Sequence, residues 1–252
     1  MNKRVILFLT APMLLLGACH NTPKAPLSIG HRGASGHAME NSLPAIQKAI
    51  DLVADALEID VYRVSDGTLV VFHDKKLDRI TNGTGSVEAL DKKALDTVLL
   101  DGGLRIPTLE QVLDLIDKKA KLNIELKGAN TATPVDSVIG EYISRKGWEN
   151  DDFIISSFKW DELEKMRMLN PDIPIGILTS KDIDKALAEA KKLGAVAIHP
   201  RFKDLNAETT KRIQSEGYKV YTWTPNEPSD IERAKSMGVD GIITDYPDRV
   251  TK

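Results

Sequence analysis

The chain has 252 residues, and it predicts an α/β fold of the (β/α)8 barrel class. Three observations carry that expectation. Eight short apolar runs alternate with helical patterns along most of the chain. A ninth apolar run follows its predecessor too closely for a parallel crossover. Polar residues suited to chemistry close these runs, as they do in parallel α/β proteins. A doubly wound open sheet is the alternative assembly of the same parts.

The eight strand-like runs are Leu27–Gly30, Ala56–Val61, Leu122–Leu126, Phe153–Ser157, Ile173–Leu178, Val196–His199, Lys219–Trp223 and Gly241–Thr244. Helical patterns at Ser42–Leu52, Thr108–Lys119, Thr133–Lys146, Lys159–Leu169, Ile183–Leu193, Ala207–Glu216 and Asp230–Met237 fill the gaps. Thr108 with Glu110 and Gln111 marks one helix start, and Gly194, Gly217 and Gly238 mark three ends. The ninth run, LVVFHD, is separated from ALEIDV by RVSDGT alone. A connection that short forces a hairpin, and Asp66-Gly67 is a good turn pair. Pairing outward from that turn sets His73 roughly opposite Asp60. The stretch 75–106 that follows is too long and polar for a plain βα loop. It is read as an insertion after the second strand; a solvated loop with one short helix is the simpler alternative.

Composition excludes several classes. The net charge of −3 gives no basis for nucleic-acid binding. There is no P-loop, GxGxxG, CxxC or repeat of solenoid period. Residues 1–18 read as a signal peptide: Lys3 and Arg4 precede an apolar stretch, Val5 to Leu16, that is short for a membrane span. The stretch ends in Leu16-Gly17-Ala18-Cys19, which resembles a bacterial lipobox. That resemblance implies a lipid on Cys19, a tether over 19–26, membrane attachment and a place in the bacterial cell envelope. Ordinary secretion, with Cys19 incidental, is the plainer reading. Cys19 is the one cysteine, so no internal disulfide can form. Residues 27–252 are the folded domain.

Three carboxylates stand at strand spacing. Glu58 and Asp60 in ALEIDV share one strand face, and Glu125 shares a face with Lys127 in NIELK. Buried carboxylates are paired or bind a metal. Salt bridges would explain one of them, but three together point to a hard divalent cation. With no cysteine nearby, Mg²⁺ or Ca²⁺ is favoured, while the histidines keep Mn²⁺ or Zn²⁺ open. His31 and Arg32 close the first run in IGHRG, and His73 and Asp74 close LVVFHD. Histidine suits proton transfer near neutral pH, and arginine suits a phosphate or carboxylate.

HRG, then EN in HAMENSLPAI, ALEIDV, VVFHDKKLDRITNGTG and NIELK, with VYTWTPN and GVDGIITDYPDR near the end, resembles the glycerophosphodiester phosphodiesterase family. The resemblance covers Leu27 to Arg249. Val53-Ala54 departs from the family's usual Gly-Ala pair, at a position read as packing. The resemblance implies metal-dependent hydrolysis of glycerophosphodiesters to glycerol 3-phosphate and an alcohol, and an insertion that caps the barrel mouth. It implies His31 and His73 as the acid–base pair, Arg32 and Lys127 as phosphate ligands, and Glu58, Asp60 and Glu125 as the metal site. Glu40 is read as an additional metal ligand, with Asn41 orienting it or a water. Trp223 either stacks on the alcohol group or closes a barrel layer. His199 is read equally as a structural or supporting histidine and as a catalytic one. His37 is read as exposed and His20 as part of the tether. Two other functions compete: phospholipase D-like cleavage of intact lipids, and a non-catalytic lipoprotein that binds a phosphate ligand. Few aromatics in the loops and an intact motif set count against them.

Overall fold

The computed structural model describes residues 25–251. The predicted signal peptide and Cys19 lie outside the described residues. In chain order the strands are β1 (Leu27–Gly30), β2 (Ala56–Arg63), β3 (Leu69–Val71), β4 (Leu99–Leu100), β5 (Leu104–Arg105), β6 (Lys121–Leu126), β7 (Phe153–Ser157), β8 (Ile175–Thr179), β9 (Ala197–Pro200), β10 (Lys219–Trp223) and β11 (Gly241–Thr244). The helices are α1 (Leu43–Asp51), α2 (Lys92–Leu95), α3 (Leu109–Ile116), α4 (Ala132–Lys146), α5 (Trp160–Leu169), α6 (Ile183–Leu193), α7 (Ala207–Ser215) and α8 (Pro228–Ser236).

Eight parallel strands close a barrel in the order β1, β2, β6, β7, β8, β9, β10, β11, and β11 returns to β1. The predicted barrel class is therefore the observed one. Seven of its βα units carry a helix on the outside. After β11 only a short 3₁₀ turn at Pro247–Arg249 follows among the described residues.

Period-two patterning explains how the site comes to face inward. Leu57, Ile59 and Val61 of β2, with Leu122, Ile124 and Leu126 of β6, point outward and pack beneath the helices. The intervening residues must then face the barrel axis. There the apolar layer is small, with Ile29, Ala56 and Ile243 at the base. Above it the interior becomes polar, with Asn123, Ser156 and His199 all buried.

Local chemistry sets the helix ends. Thr108 and Gln111 make the reciprocal capping box anticipated for α3. Gly194 adopts a left-handed φ of 58° at the end of α6, a conformation that costs a side-chain-bearing residue more. Val53 adopts a φ of 56° between α1 and β2, with its side chain 80% exposed. The position is thus a left-handed turn that suits glycine, not the packing position expected from the sequence.

Strand β3 pairs antiparallel with β2 outside the barrel, with Val61 opposite Val71 and Tyr62 opposite Val70. The register differs by one residue from the one expected. Phe72, rather than His73, faces Asp60, and its N–H donates to the Asp60 carbonyl at 2.9 Å. The turn centres on Asp66, where the Val64 N–H donates to Thr68 and the Gly67 N–H to Val64. Residues beyond β3 fold into short 3₁₀ turns, α2 and the β4–β5 hairpin. They bury Leu77, Ile80, Val87, Leu95 and Val98 against Tyr62, Val70 and Phe72, forming a second, smaller core. That extra apolar content was too scattered along the sequence to read as secondary structure.

Candidate active site

The C-terminal ends of the barrel strands gather the charged residues. Carboxylate oxygens of Glu58, Asp60 and Glu125 all lie within 4.8 Å of one another. Their exposures are 4%, 1% and 9%. Asp60 lies beside Glu125 across the β2–β6 pair, which is how two strands place three acids in one spot.

Two cations share this cluster. The Lys127 ammonium sits 2.9 Å from Glu125 and 3.5 Å from Asp60. The Arg32 Nε lies 3.4 Å from Asp60, and the Arg32 backbone N–H donates to Glu58 at 2.9 Å. That geometry depends on Arg32 adopting a positive φ of 52° directly after His31. Asn41 donates to Asp60 at 2.9 Å and accepts from the Asp60 N–H at 3.3 Å, so it orients Asp60.

Electrostatics decides how many acids can ionise. Two like charges about 4 Å apart repel by about 4 kcal/mol at an effective dielectric of ~20. Burial, followed by the neighbouring charges of Asp60 and Glu125, pushes the Glu58 carboxyl well above its ordinary range. Burial and Asp60 push Glu125 up to about 7. Burial also works against ionisation of Asp60, yet Lys127, Arg32 and His73 hold it below its usual value. The protein's own cations therefore satisfy one acid well and leave two strained. A buried set of hard oxygen donors short of positive charge fits a divalent cation.

The two histidines carry matching supports. The His31 Nδ1–H donates to Asp245 at 2.6 Å, and the His73 Nδ1–H donates to Asp74 at 2.6 Å. Asp245 also accepts from Ser35 at 2.8 Å and from Asn226 at 2.5 Å. Asp74 accepts from the Arg79 Nε at 2.5 Å. Despite burial, the His31 bond, Ser35 and Asn226 hold Asp245 down to about 2. Against some burial of its own, Arg79 and His73 hold Asp74 down to about 2. Both acids thus stay ionised and fix each ring with Nδ1–H toward its carboxylate, leaving Nε2 for other work. Burial lowers the His73 pKa, which favours the neutral ring.

A cavity of about 120 Å³ joins these groups. His31, Arg32, Glu58, His73, Glu125 and Lys127 line it, with Phe158 and Trp223 along one side. The Phe158 and Trp223 rings meet edge to face at 5.6 Å, and the Trp223 Nε1–H donates to the His199 carbonyl at 2.9 Å. The structure therefore brings together His31, His73, Arg32, Lys127, Glu58, Asp60, Glu125 and Trp223.

Two sequence candidates stand apart. Glu40 is not among the gathered carboxylates; it accepts from Arg32 at 2.8 Å and from Arg79 at 2.6 and 3.0 Å. His199 is fully buried beside Tyr221, away from the mouth, with both ring nitrogens unpartnered, and burial drives its pKa down to about 3. His37 pairs with Asp248 at 2.8 Å. Sequence reasoning passed over Asp74 and Asp245 as partners, along with Arg79 and Asn226. Asp74 and Asp245 stand at strand ends, which marks them as site candidates, but nothing in the sequence pairs them with the histidines, and Arg79 carries no such signal.

Comparison with known proteins places these residues in company. The glycerophosphoryl diester phosphodiesterase family model matches residues 31–249. A glycerophosphodiester phosphodiesterase of Caldanaerobacter subterraneus is 36% identical over 231 residues, covering 88% of this chain and 95% of the relative. One from Bacillus subtilis is 34% identical over 254 residues, covering 90% and 86%. The solved structure of an Oleispira antarctica phosphodiesterase, in complex with the product sn-glycerol-3-phosphate, superimposes with a TM-score of 0.82 at 27% identity. It covers 90% of this chain and 96% of its own.

Proposed function

The chain belongs to the glycerophosphoryl diester phosphodiesterase family, and from that premise we propose a divalent-metal-dependent hydrolase acting through His31 and His73. It is a glycerophosphodiester phosphodiesterase. The observation that carries the finer reading is the convergence, at one end of the barrel, of a three-acid cluster, two cations and two carboxylate-supported histidines around one cavity.

Glu58, Asp60 and Glu125 would hold the ion, with Asn41 keeping Asp60 in place. Bound there, a divalent cation supplies charge neutralisation for a phosphoryl oxygen and strengthens phosphorus as an electrophile. Arg32 and Lys127 bind the remaining phosphoryl oxygens, each keeping its charge because acids surround it. One histidine takes a proton from the attacking oxygen at Nε2, and the other returns one to the departing alcohol oxygen. Asp245 and Asp74 stabilise whichever ring is charged. The Phe158–Trp223 side offers an apolar wall to the organic part of the substrate.

The Oleispira relative's product complex supports glycerol 3-phosphate as the retained product. Three hard carboxylates favour Mg²⁺ or Ca²⁺. The LLGAC sequence before residue 20 supports lipid attachment at Cys19 and an envelope location.

The test is product analysis with sn-glycero-3-phosphocholine before and after chelation. Release of glycerol 3-phosphate and choline, lost on metal removal and restored by Mg²⁺ or Ca²⁺, is the expected outcome. Undiminished turnover in a demetallated preparation would remove the metal from the reading. Tight substrate binding without product would make the chain a binding protein.

A further inference from the structure

We propose that the face of the barrel opposite the catalytic cavity rests on the bilayer, so that the mouth opens into the aqueous compartment and draws on dissolved, deacylated glycerophosphodiesters. The proposal rests on lipid attachment at Cys19. It adds an orientation, which attachment alone does not fix.

The first argument is reach. The tether enters the fold at Ala25 and Pro26, beside the N-terminal end of β1, while His31 at the other end of that strand lines the cavity. From Cys19 to Ala25 a fully extended chain reaches about 20 Å at ~3.4 Å per residue. To bring the mouth to the bilayer the tether would have to cross a helix layer about 10 Å thick. It would then have to climb a barrel wall of which β2, at eight residues, spans about 26 Å. The tether is too short for that path.

The second argument is where apolar side chains are exposed. Among the described residues the large exposed ones are Val53, Phe158, Met168, Leu169 and Val196. Phe158 belongs to the cavity wall. The other four all lie at the base: Val53 ahead of β2, Met168 and Leu169 at the end of α5, and Val196 ahead of β9. Val53 and Met168 are 80% and 77% exposed. Val53 also occupies a left-handed turn that disfavours a β-branched residue, so its side chain contributes nothing to the folded domain that would offset the strain. A mainly apolar hollow lined by Leu27, Ile29, Ala56, Phe153 and Val196, together with Lys121 and Asp151, opens on the same face. Apolar groups gathered where a lipidated tether emerges suit the headgroup and acyl boundary.

Once Cys19 carries lipid, the mature chain has no free thiol, so one introduced cysteine can be labelled uniquely. Full-length protein carrying Met168→Cys at the base, or Ala129→Cys on the mouth side after β6, would be labelled with an environment-sensitive fluorophore. Each would be reconstituted in vesicles containing a nitroxide-bearing lipid. The proposal expects most of the fluorescence to be lost at position 168 and little at 129. Protein that fractionates with vesicles but is quenched equally at both positions, or more at 129, overturns the orientation and leaves lipid attachment standing. Protein that does not fractionate with vesicles overturns the attachment reading and the orientation with it. A chain starting at His20 that runs as a dimer, and as a monomer after Met168→Asp, assigns the base to a second copy and overturns the proposal.

Discussion

His31 and His73, the proposed acid–base pair, are each held by a carboxylate: Asp245 lies at the far end of the domain from His31, and Asp74, next to His73 in sequence, is itself clamped by Arg79. His31→Ala and His73→Ala should each lower turnover by about 10²- to 10⁴-fold, the range of a general acid or base. The double variant should lose less than the product of the two losses, because the pair acts as a unit. Steady-state kinetics on folded variants checks both statements, and wild-type turnover in either single variant removes that residue from the pair. The acids of the cavity were legible beforehand because period-two alternation in an otherwise apolar strand betrays an inward carboxylate. The groups that steady the histidines were not. A hydrogen bond from Asn226 or Arg79 is a tertiary fact, and Glu40 shows the cost of reading by proximity in sequence: an acid near the site that serves two arginines.

Between elements, Glu162 of α5 does for α4 what Thr131 does not. Its buried carboxylate accepts the N–H groups of Asn130, Thr131 and Ala132 at 2.8 to 2.9 Å, capping the start of the neighbouring helix. Burial opposes ionisation, but Lys165 and those N–H groups outweigh it and hold the pKa below its ordinary 4.5. The folded value is below the unfolded one, so the stabilisation is complete above about pH 4.5 and fades as pH falls through the folded pKa. Glu162→Gln should cost about 1 to 3 kcal/mol at neutral pH. It should cost less in acid, as thermal melts across that window would register. Val53→Gly tests the other irregular element. Left-handed backbone costs an L-residue about 1–2 kcal/mol and glycine loses roughly 0.5–1 kcal/mol of chain entropy, so a net gain of about 0.5–1 kcal/mol is expected in denaturant titrations. The sequence announced α3 through its capping box and the hairpin through Asp66-Gly67. It missed the register by one residue because turn length, not the turn dipeptide, decides which residues face each other.

For the molecule as a whole, the proposed lipid attachment and the catalytic cavity should be separable. Acyl-chain burial stabilises membrane association by about 0.8 kcal/mol per methylene. Among the described residues, none that lines the cavity lies before His31. A chain starting at His20 should therefore be soluble and as active as the full-length protein on dissolved substrate, while full-length protein sediments with membranes. Sedimentation of full-length Cys19→Ser protein, or an inactive truncated enzyme, would contradict this. The barrel class was readable from eight alternating units because a short βα repeat has few ways to close. The insertion's own core was not, since its apolar residues come singly and find their partners on β2 and β3 only in the folded chain. Barrel closure has one more consequence. The seam joins β1 to β11, and His31 sits on it, with its N–H donating to Thr244 and its ring to Asp245. Until the last strand docks, His31 has neither its backbone bond nor its carboxylate, however well the other strands are packed. A chain clipped before residue 241 should therefore lose turnover, because it lacks both the strand and the carboxylate that hold His31, and an assay of such a truncated chain checks this.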